Sequence, residues 1–249
     1  MAVMTPSLTL LAAGSLKSAF LPLLARFQQY YGIQVEAQFD PAGLLRERIE
    51  RGERCSLFAS ANTEHPQALL QTGLAKTCCS FAANQLMLTA RCSPATNRAD
   101  WLTLLTNPQL RLATSTPGCD PSGDYTWQLF ARLEEGYPGV GRALMNRAQQ
   151  LVGGRESPSV PAGVTAGAWL IGENLADLFI GYAHYAAQMT ASATLRTLAI
   201  PVPWNIRCEY QLARMEESDA ARQLCRFIVG EEGQAYLRAA GFLPVNDGS

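Results

Sequence analysis

The sequence is poor in charge, in histidine and in long apolar runs, and each shortage excludes a class of function. Only 16% of its 249 residues are charged, and 20 Lys+Arg against 21 Asp+Glu leave a formal net charge of −1. That balance supplies neither the basic stripe that nucleic acid demands nor an acidic tail. With no net positive field, an anion site has to be made locally, from backbone dipoles and hydroxyls. No apolar run reaches the roughly eighteen residues that a membrane-spanning helix needs. The opening Met1-Ala2-Val3-Met4-Thr5-Pro6 lacks a basic segment, an apolar stretch and a small-residue cleavage site. It fits the mature part of an exported protein or a cytosolic one.

Catalytic and metal motifs are also missing. There is no G-x-S-x-G, no phosphate loop with its lysine, no G-x-G-x-x-G and no H-E-x-x-H. The seven cysteines form no C-x-x-C pair, and with only His65 and His184 beside them a zinc site is not expected. Vicinal Cys78 and Cys79 read as small apolar fillers at a helix-to-strand junction rather than a redox pair. His65, between Glu64 and Pro66, reads as a surface residue at a helix start, and His184 as a solvated residue just past a strand. Glu173 and Asp177 read as solvated charges flanking that strand. No catalytic residue, no cofactor and no resident metal is expected.

What is present is a repeating alternation of strand and helix. The run Leu8–Ala13 reads as a buried strand ending at Gly14. Leu16, Ala19, Phe20, Leu23, Leu24, Phe27 and Tyr30 then share one helical face, closed by Gly32. Pro22 within that face implies a kink or a helix proper starting near Leu21. Strands are expected at 33–37, 56–59, 85–90, 110–114, 178–182 and 195–200. Helices are expected at 44–51, 65–70, 124–133, 139–151, 218–229 and 233–240, with a Gly/Pro/Ser-rich loop at 153–163. Such alternation means an α/β fold with parallel strands and crossover connections, and the length suffices for two lobes.

Small residues and hydroxyls recur where strands hand over to helices: Ala12-Ala13-Gly14-Ser15, Pro41-Ala42-Gly43 and Asp120-Pro121-Ser122-Gly123. In open α/β sheets these junctions line the ligand crevice, and helix N-termini there present unbonded N–H groups and partial positive charge. The bland alternative is that Ser and Gly merely cap helices.

In order along the chain, these segments resemble the periplasmic molybdate-binding proteins of ABC importers. Ala12-Ala13-Gly14-Ser15-Leu16-Lys17 is similar to the family's opening signature, and Gly43–Gly52 followed by Leu57–Asn62 to its second segment. Pro121-Ser122-Gly123-Asp124-Tyr125 resembles its proline–small–glycine–x–tyrosine turn, and Ala176–Ala183 the strand that delivers a ligand-binding tyrosine. Tyr236–Phe242 is similar to the family's C-terminal helix and its exit. The resemblance implies a two-lobed, type II periplasmic-binding-protein-like α/β fold with a ligand cleft between the lobes. Lobe 1 would comprise 1–82 plus 205–249, and lobe 2 would comprise 83–204. It implies ligand contacts from Ser15 (hydroxyl and N–H), Ala42 and Gly43, Ser122 (chiefly N–H), Val164 (N–H) and Tyr182 (hydroxyl). Ala42 departs from the serine usual there and leaves only a backbone N–H. Ser56 stands where aspartate is common. The implied protein is a monomer that captures molybdate or tungstate outside the cytoplasm and hands it to an ABC permease, binding no nucleic acid.

A site made only of N–H and O–H donors has a selectivity of its own. Phosphate near neutral pH keeps a proton that needs an acceptor, whereas sulfate, molybdate and tungstate are fully deprotonated. Sulfate is smaller and would leave stretched bonds in a cavity sized for molybdate. Asp124, two residues beyond Ser122, would repel the anion if it faced it; as an early helix residue it can turn outward, and an inward carboxylate would favour a cation or a neutral ligand instead. The alternatives are a cytosolic oxyanion-sensing lobe of the same fold, a sulfate-type or other small-anion binder, and an enzyme with His184 as its base.

Overall fold

The computed structural model describes residues 7–245; the opening hexapeptide read above lies outside them. The chain begins β1 (Ser7–Ala13), α1 (Lys17–Tyr31), β2 (Gln34–Asp40), α2 (Ala42–Glu50), β3 (Leu57–Ser60) and α3 (Glu64–Gln71). A long β4 (Thr77–Arg91) leads into α4 (Trp101–Thr106), β5 (Leu112–Ser115), α5 (Pro121–Gly136), α6 (Val140–Arg147) and β6 (Gln149–Val152). Then come α7 (Ala166–Gly172), β7 (Leu178–Tyr182), α8 (Ala186–Thr190), β8 (Leu195–Ala199), β9 (Arg207–Arg214), α9 (Asp219–Val229) and α10 (Glu231–Ala239). Two compact units result, one from 1–84 with 209–249 and one from 85–208. The chain changes unit twice, within β4 and within β9.

In the first unit β1 is central, parallel to β2 on one side and β3 on the other, and β9 pairs antiparallel with β3. A strand covered on both sides reads as a near-continuous apolar run, and Leu8, Leu10, Leu11 and Ala12 are buried. β2, at the sheet edge, alternates between exposed and half-buried residues. The helix α1 starts at Lys17 after a 3-10 turn at Gly14–Leu16, not near Leu21, and carries Pro22 on its exposed face. Burial of Ala19, Phe20, Leu23, Leu24 and Phe27 outweighs the one backbone hydrogen bond that proline removes. Gly32 ends it in the left-handed region at φ 68°, its N–H donating to Gln28 O. Ser56 extends the β1–β3 ladder, its Oγ accepting the Thr9 N–H at 3.2 Å.

In the second unit β5 lies between parallel neighbours β6 and β7, while β4 runs antiparallel to both β7 and β8. Met87, Ala113, Val152, Leu170, Ile171, Phe179 and Met189 form a core here. The sheet is thus mixed rather than purely parallel. The helix expected over 139–151 is two elements: α6 stops at Arg147, and Ala148 turns the chain into β6. Arg147 fixes that stop by donating to the Leu105 and Leu110 carbonyls. Cys78 and Cys79 lie within β4, with Cys79 exposed, so they are not fillers at a junction. Among the described residues no helix is long and apolar enough to cross a membrane.

Candidate functional site

Two junctions of the first unit are neighbours by construction. The parallel register of β1 and β2 sets Ala13 opposite Asp40, so the turn after β1 and the start of α2 leave the sheet side by side. Ser15 sits in the 3-10 turn, 9% exposed, with its Oγ 2.9 Å from the Tyr210 hydroxyl. Pro41 is the N-cap of α2 and makes no side-chain cap bond. The first-turn N–H groups at Ala42 and Gly43 are therefore of the kind a helix leaves without intrahelical partners. Both residues are buried. The carboxylate nearest in sequence, Asp40, is ion-paired to Arg48 at 3.0 Å.

The third strand end adds a polar group that the sequence reading placed on the surface. His65 is buried at the start of α3, its backbone N–H donating to Asn62 Oδ1, which also accepts the Ser60 hydroxyl. Burial, then the neighbouring Arg46, holds the imidazole below its ordinary pKa. Its Nε2 has no hydrogen-bond partner among the described residues. The surface assignment fails because α3 turns His65 inward beside Pro66 and Leu69.

In the second unit β5 and β7 are parallel neighbours, with Ala113 opposite Phe179, and each ends in a candidate residue's junction. α5 begins at Pro121, three residues before the expected Asp124, with Asp120 as N-cap. The Ser122 N–H donates to Asp120 Oδ1 at 3.1 Å, and the other Asp120 oxygen accepts the Ser115 hydroxyl. Burial raises the Asp120 pKa above the ordinary aspartate range, against the pull of these two donors. Gly153 is what admits this cluster: it holds φ 74°, and a Cβ there would collide with Ser115 Oγ and Asp120 Oδ2. Asp124 turns onto the preceding loop, where its Oδ1 accepts the Gly118 N–H at 2.8 Å. A cavity lined by Thr116, Cys119, Gln150 and Arg155 opens beside that loop.

Tyr182 is the last residue of β7, 4% exposed, held opposite Leu86 of β4. His184 is buried in the 3-10 turn that follows, its ring 3.8 Å from that of Tyr185, and is not a solvated loop residue. Val164 differs from the others. It is 45% exposed in the turn before α7, and its N–H points to Pro161 O at 3.3 Å. Asp177 is no solvated charge: Arg111 and Arg91 grip it, and these contacts, Arg111's first, pull its pKa down to about 2.

Two roles went unread in the sequence, that of Asp120, quoted only as part of its junction, and that of Tyr210 on β9. Asp120 was readable, because an aspartate followed by proline is a helix-start pattern of N-cap and N1. Tyr210 was not, since β9 went unrecognised. Among the described residues no group of three or more His, Cys, Asp or Glu is placed to hold a metal ion.

The family model for "Bacterial extracellular solute-binding protein" matches residues 8–243. An uncharacterized protein of Pasteurella multocida is 42% identical over 238 residues, covering 95% of this chain and 98% of its own. Among solved structures, the periplasmic molybdate-binding protein of Azotobacter vinelandii aligns with a TM-score of 0.75 at 19% identity, covering 96% of this chain and all of that one. The sulfate-binding protein SubI of Mycobacterium tuberculosis aligns at 0.74 and 19% identity, covering 97% of this chain and 88% of its own. At that identity the likeness shows the fold, a mixed α/β one of the type II periplasmic-binding kind.

Proposed function

Because the chain belongs to the family of bacterial extracellular solute-binding proteins, we propose that it captures a tetrahedral oxyanion, molybdate or tungstate, for an ABC importer and catalyses nothing. The reading places it in the periplasm or otherwise outside the cytoplasm, delivering cargo to a membrane permease. The observation that carries it is the pair of junctions at Ser15 and at Ala42-Gly43, set side by side by the β1–β2 register. A hydroxyl and a proline-capped helix start there offer N–H and O–H donors, and the helix adds about half a positive charge. The Tyr182 hydroxyl, with the Ser122 and Val164 N–H groups once they are released from Asp120 and Pro161, completes the proposed donor set. Each charge-assisted bond to a dianion contributes roughly 1.5–3 kcal/mol, so a handful replaces its hydration without a counter-charge.

A calorimetric titration with molybdate, tungstate, sulfate and phosphate tests the reading. Micromolar or tighter binding of the first two, weak sulfate and silent phosphate is the expected result. Tighter sulfate, or silence from all four, would reject it. A second reading rests on Asp120, a buried carboxyl bonded to the Ser122 N–H. As a proton acceptor it favours a protonated oxyanion, and phosphate outcompeting molybdate in the same titration would select that reading.

A further inference from the structure

We infer that Tyr210 is a positioning residue of the anion site: its phenol donates to Ser15 Oγ, which leaves the single Ser15 proton facing the ligand. The inference rests on the oxyanion reading of Ser15 and deepens it. The two oxygens are 2.9 Å apart in a buried pair, and distance alone allows either to be the donor. Chemistry decides the direction. A serine hydroxyl has one proton and two lone pairs, and so does the phenol, but the phenol is the stronger acid. If Ser15 donated to Tyr210, its lone pairs would face an anion that can itself only accept. With Tyr210 donating, the chain runs phenol to serine to anion, and each bond polarises the next.

The setting of Tyr210 suits such a role. Its side chain is fully buried, and its ring meets Phe81 and Phe242 edge-on, with centroids 6.3 and 5.3 Å away and planes at 84° and 87°. Perpendicular aromatic contacts on a β-strand fix the ring plane, and with it the line along which the hydroxyl can reach. Position 210 lies on β9 just past the Ser60–Gln211 pairing, at the end of β3. The tyrosine thus approaches Ser15 from the sheet, opposite in role to the helix-start donors of α2.

The experiment is a double-mutant cycle read by molybdate titration, with thermal melting of each ligand-free protein. Tyr210→Phe should weaken molybdate about tenfold in the native background, the scale of one charge-assisted bond lost. In a Ser15→Ala background the same change should matter less than about twofold, because no serine remains to be oriented. The loss in melting temperature should likewise be smaller in the Ser15→Ala background, where no bond is left to break, and an equal loss of affinity in both backgrounds would overturn the inference as mere packing. Replacing Tyr210 with 3-fluorotyrosine keeps the ring and makes the phenol more acidic, so affinity should rise, and it serves if the phenylalanine variant does not fold. Unchanged affinity in the fluorinated protein, or in a folded Tyr210→Phe, would overturn the inference while leaving the oxyanion reading intact. No oxyanion binding by the unsubstituted protein would overturn both.

Discussion

Ala42 and Asp120 are the two residues whose chemistry sets the strength of the proposed site. Ala42 starts α2 with a methyl group where a hydroxyl would add a donor to the same junction as Ser15. Ala42→Ser should tighten molybdate binding about fivefold, roughly the worth of one further hydrogen bond; unchanged or weaker affinity would remove position 42 from the site. Asp120 acts in the opposite sense, because its carboxylate spends the Ser122 N–H and places negative charge at the start of α5. Its folded pKa is raised, so its contribution to stability is fully present below the ordinary aspartate value and is lost as pH rises through the folded one. Asp120→Asn, which keeps a capping side chain, should therefore raise the melting temperature at pH 7 more than at pH 3.5. It should also raise anion affinity at pH 7, and titrations at both pH values check this. Ser15 and Ser122 stood out because small or hydroxyl residues at strand-to-helix junctions break the apolar runs, whereas Tyr182 was named only through the family resemblance. Asp120 and Tyr210 were not singled out, the first because the helix was read as starting later, the second because its strand was unread.

Elements were legible where one periodicity governed them. β1 and β7 follow from short apolar runs, being covered on both faces, and α1 and the two C-terminal helices from apolar spacing, since one face of each is buried within its own unit. Where a long-range contact decides, local pattern misleads. Leu144 and Leu151 share a helical face in sequence, yet β5 recruits 149–152 as a parallel strand and Arg147 anchors the break. β9 carries Arg207, Glu209 and Arg214 among its apolar residues, and its place in the sheet between β3 and β4 is what buries Cys208, Tyr210 and Leu212. Asp177 shows the same principle in charge. Its Oδ2 accepts both the backbone N–H and Nε of Arg111 at 2.9 Å, and Oδ1 accepts from Arg91, so one carboxylate ties the start of β7 to β4 and β5. Asp177→Asn should cost about 2 kcal/mol at pH 7, as expected for losing charge-assisted bonds. This group's folded pKa is depressed, so its stabilisation holds above the ordinary aspartate value and fades as pH falls toward about 2. Urea denaturation of both proteins should show the gap closing over that acid range; a constant gap would mean the loss is one of packing.

At the scale of the whole molecule, the units differ in how the chain builds them. Residues 85–208 are one continuous segment that contains β5, β6, β7 and β8 and the paired half of β4. The other unit needs both ends of the chain, because β3 borrows β9 and Ala83 bonds to Leu243. Segment 85–208 expressed alone should unfold in a single cooperative transition, whereas 1–84 alone should show none, as followed by circular dichroism during heating. Strand–helix alternation made the α/β class readable; the borrowing of β9 by β3, which depends on residues far apart, was not. The Ser15–Tyr210 bond joins positions 195 apart. Contacts so distant in sequence close late, after their loop entropy has been met by other structure. During synthesis the N-terminal strands emerge long before Tyr210 and Leu243 exist, so they wait, incomplete at one edge, while the middle segment has everything it needs. The proposed anion site would then be the last part of the protein to mature, and ligand binding would report a finished chain rather than a merely compact one.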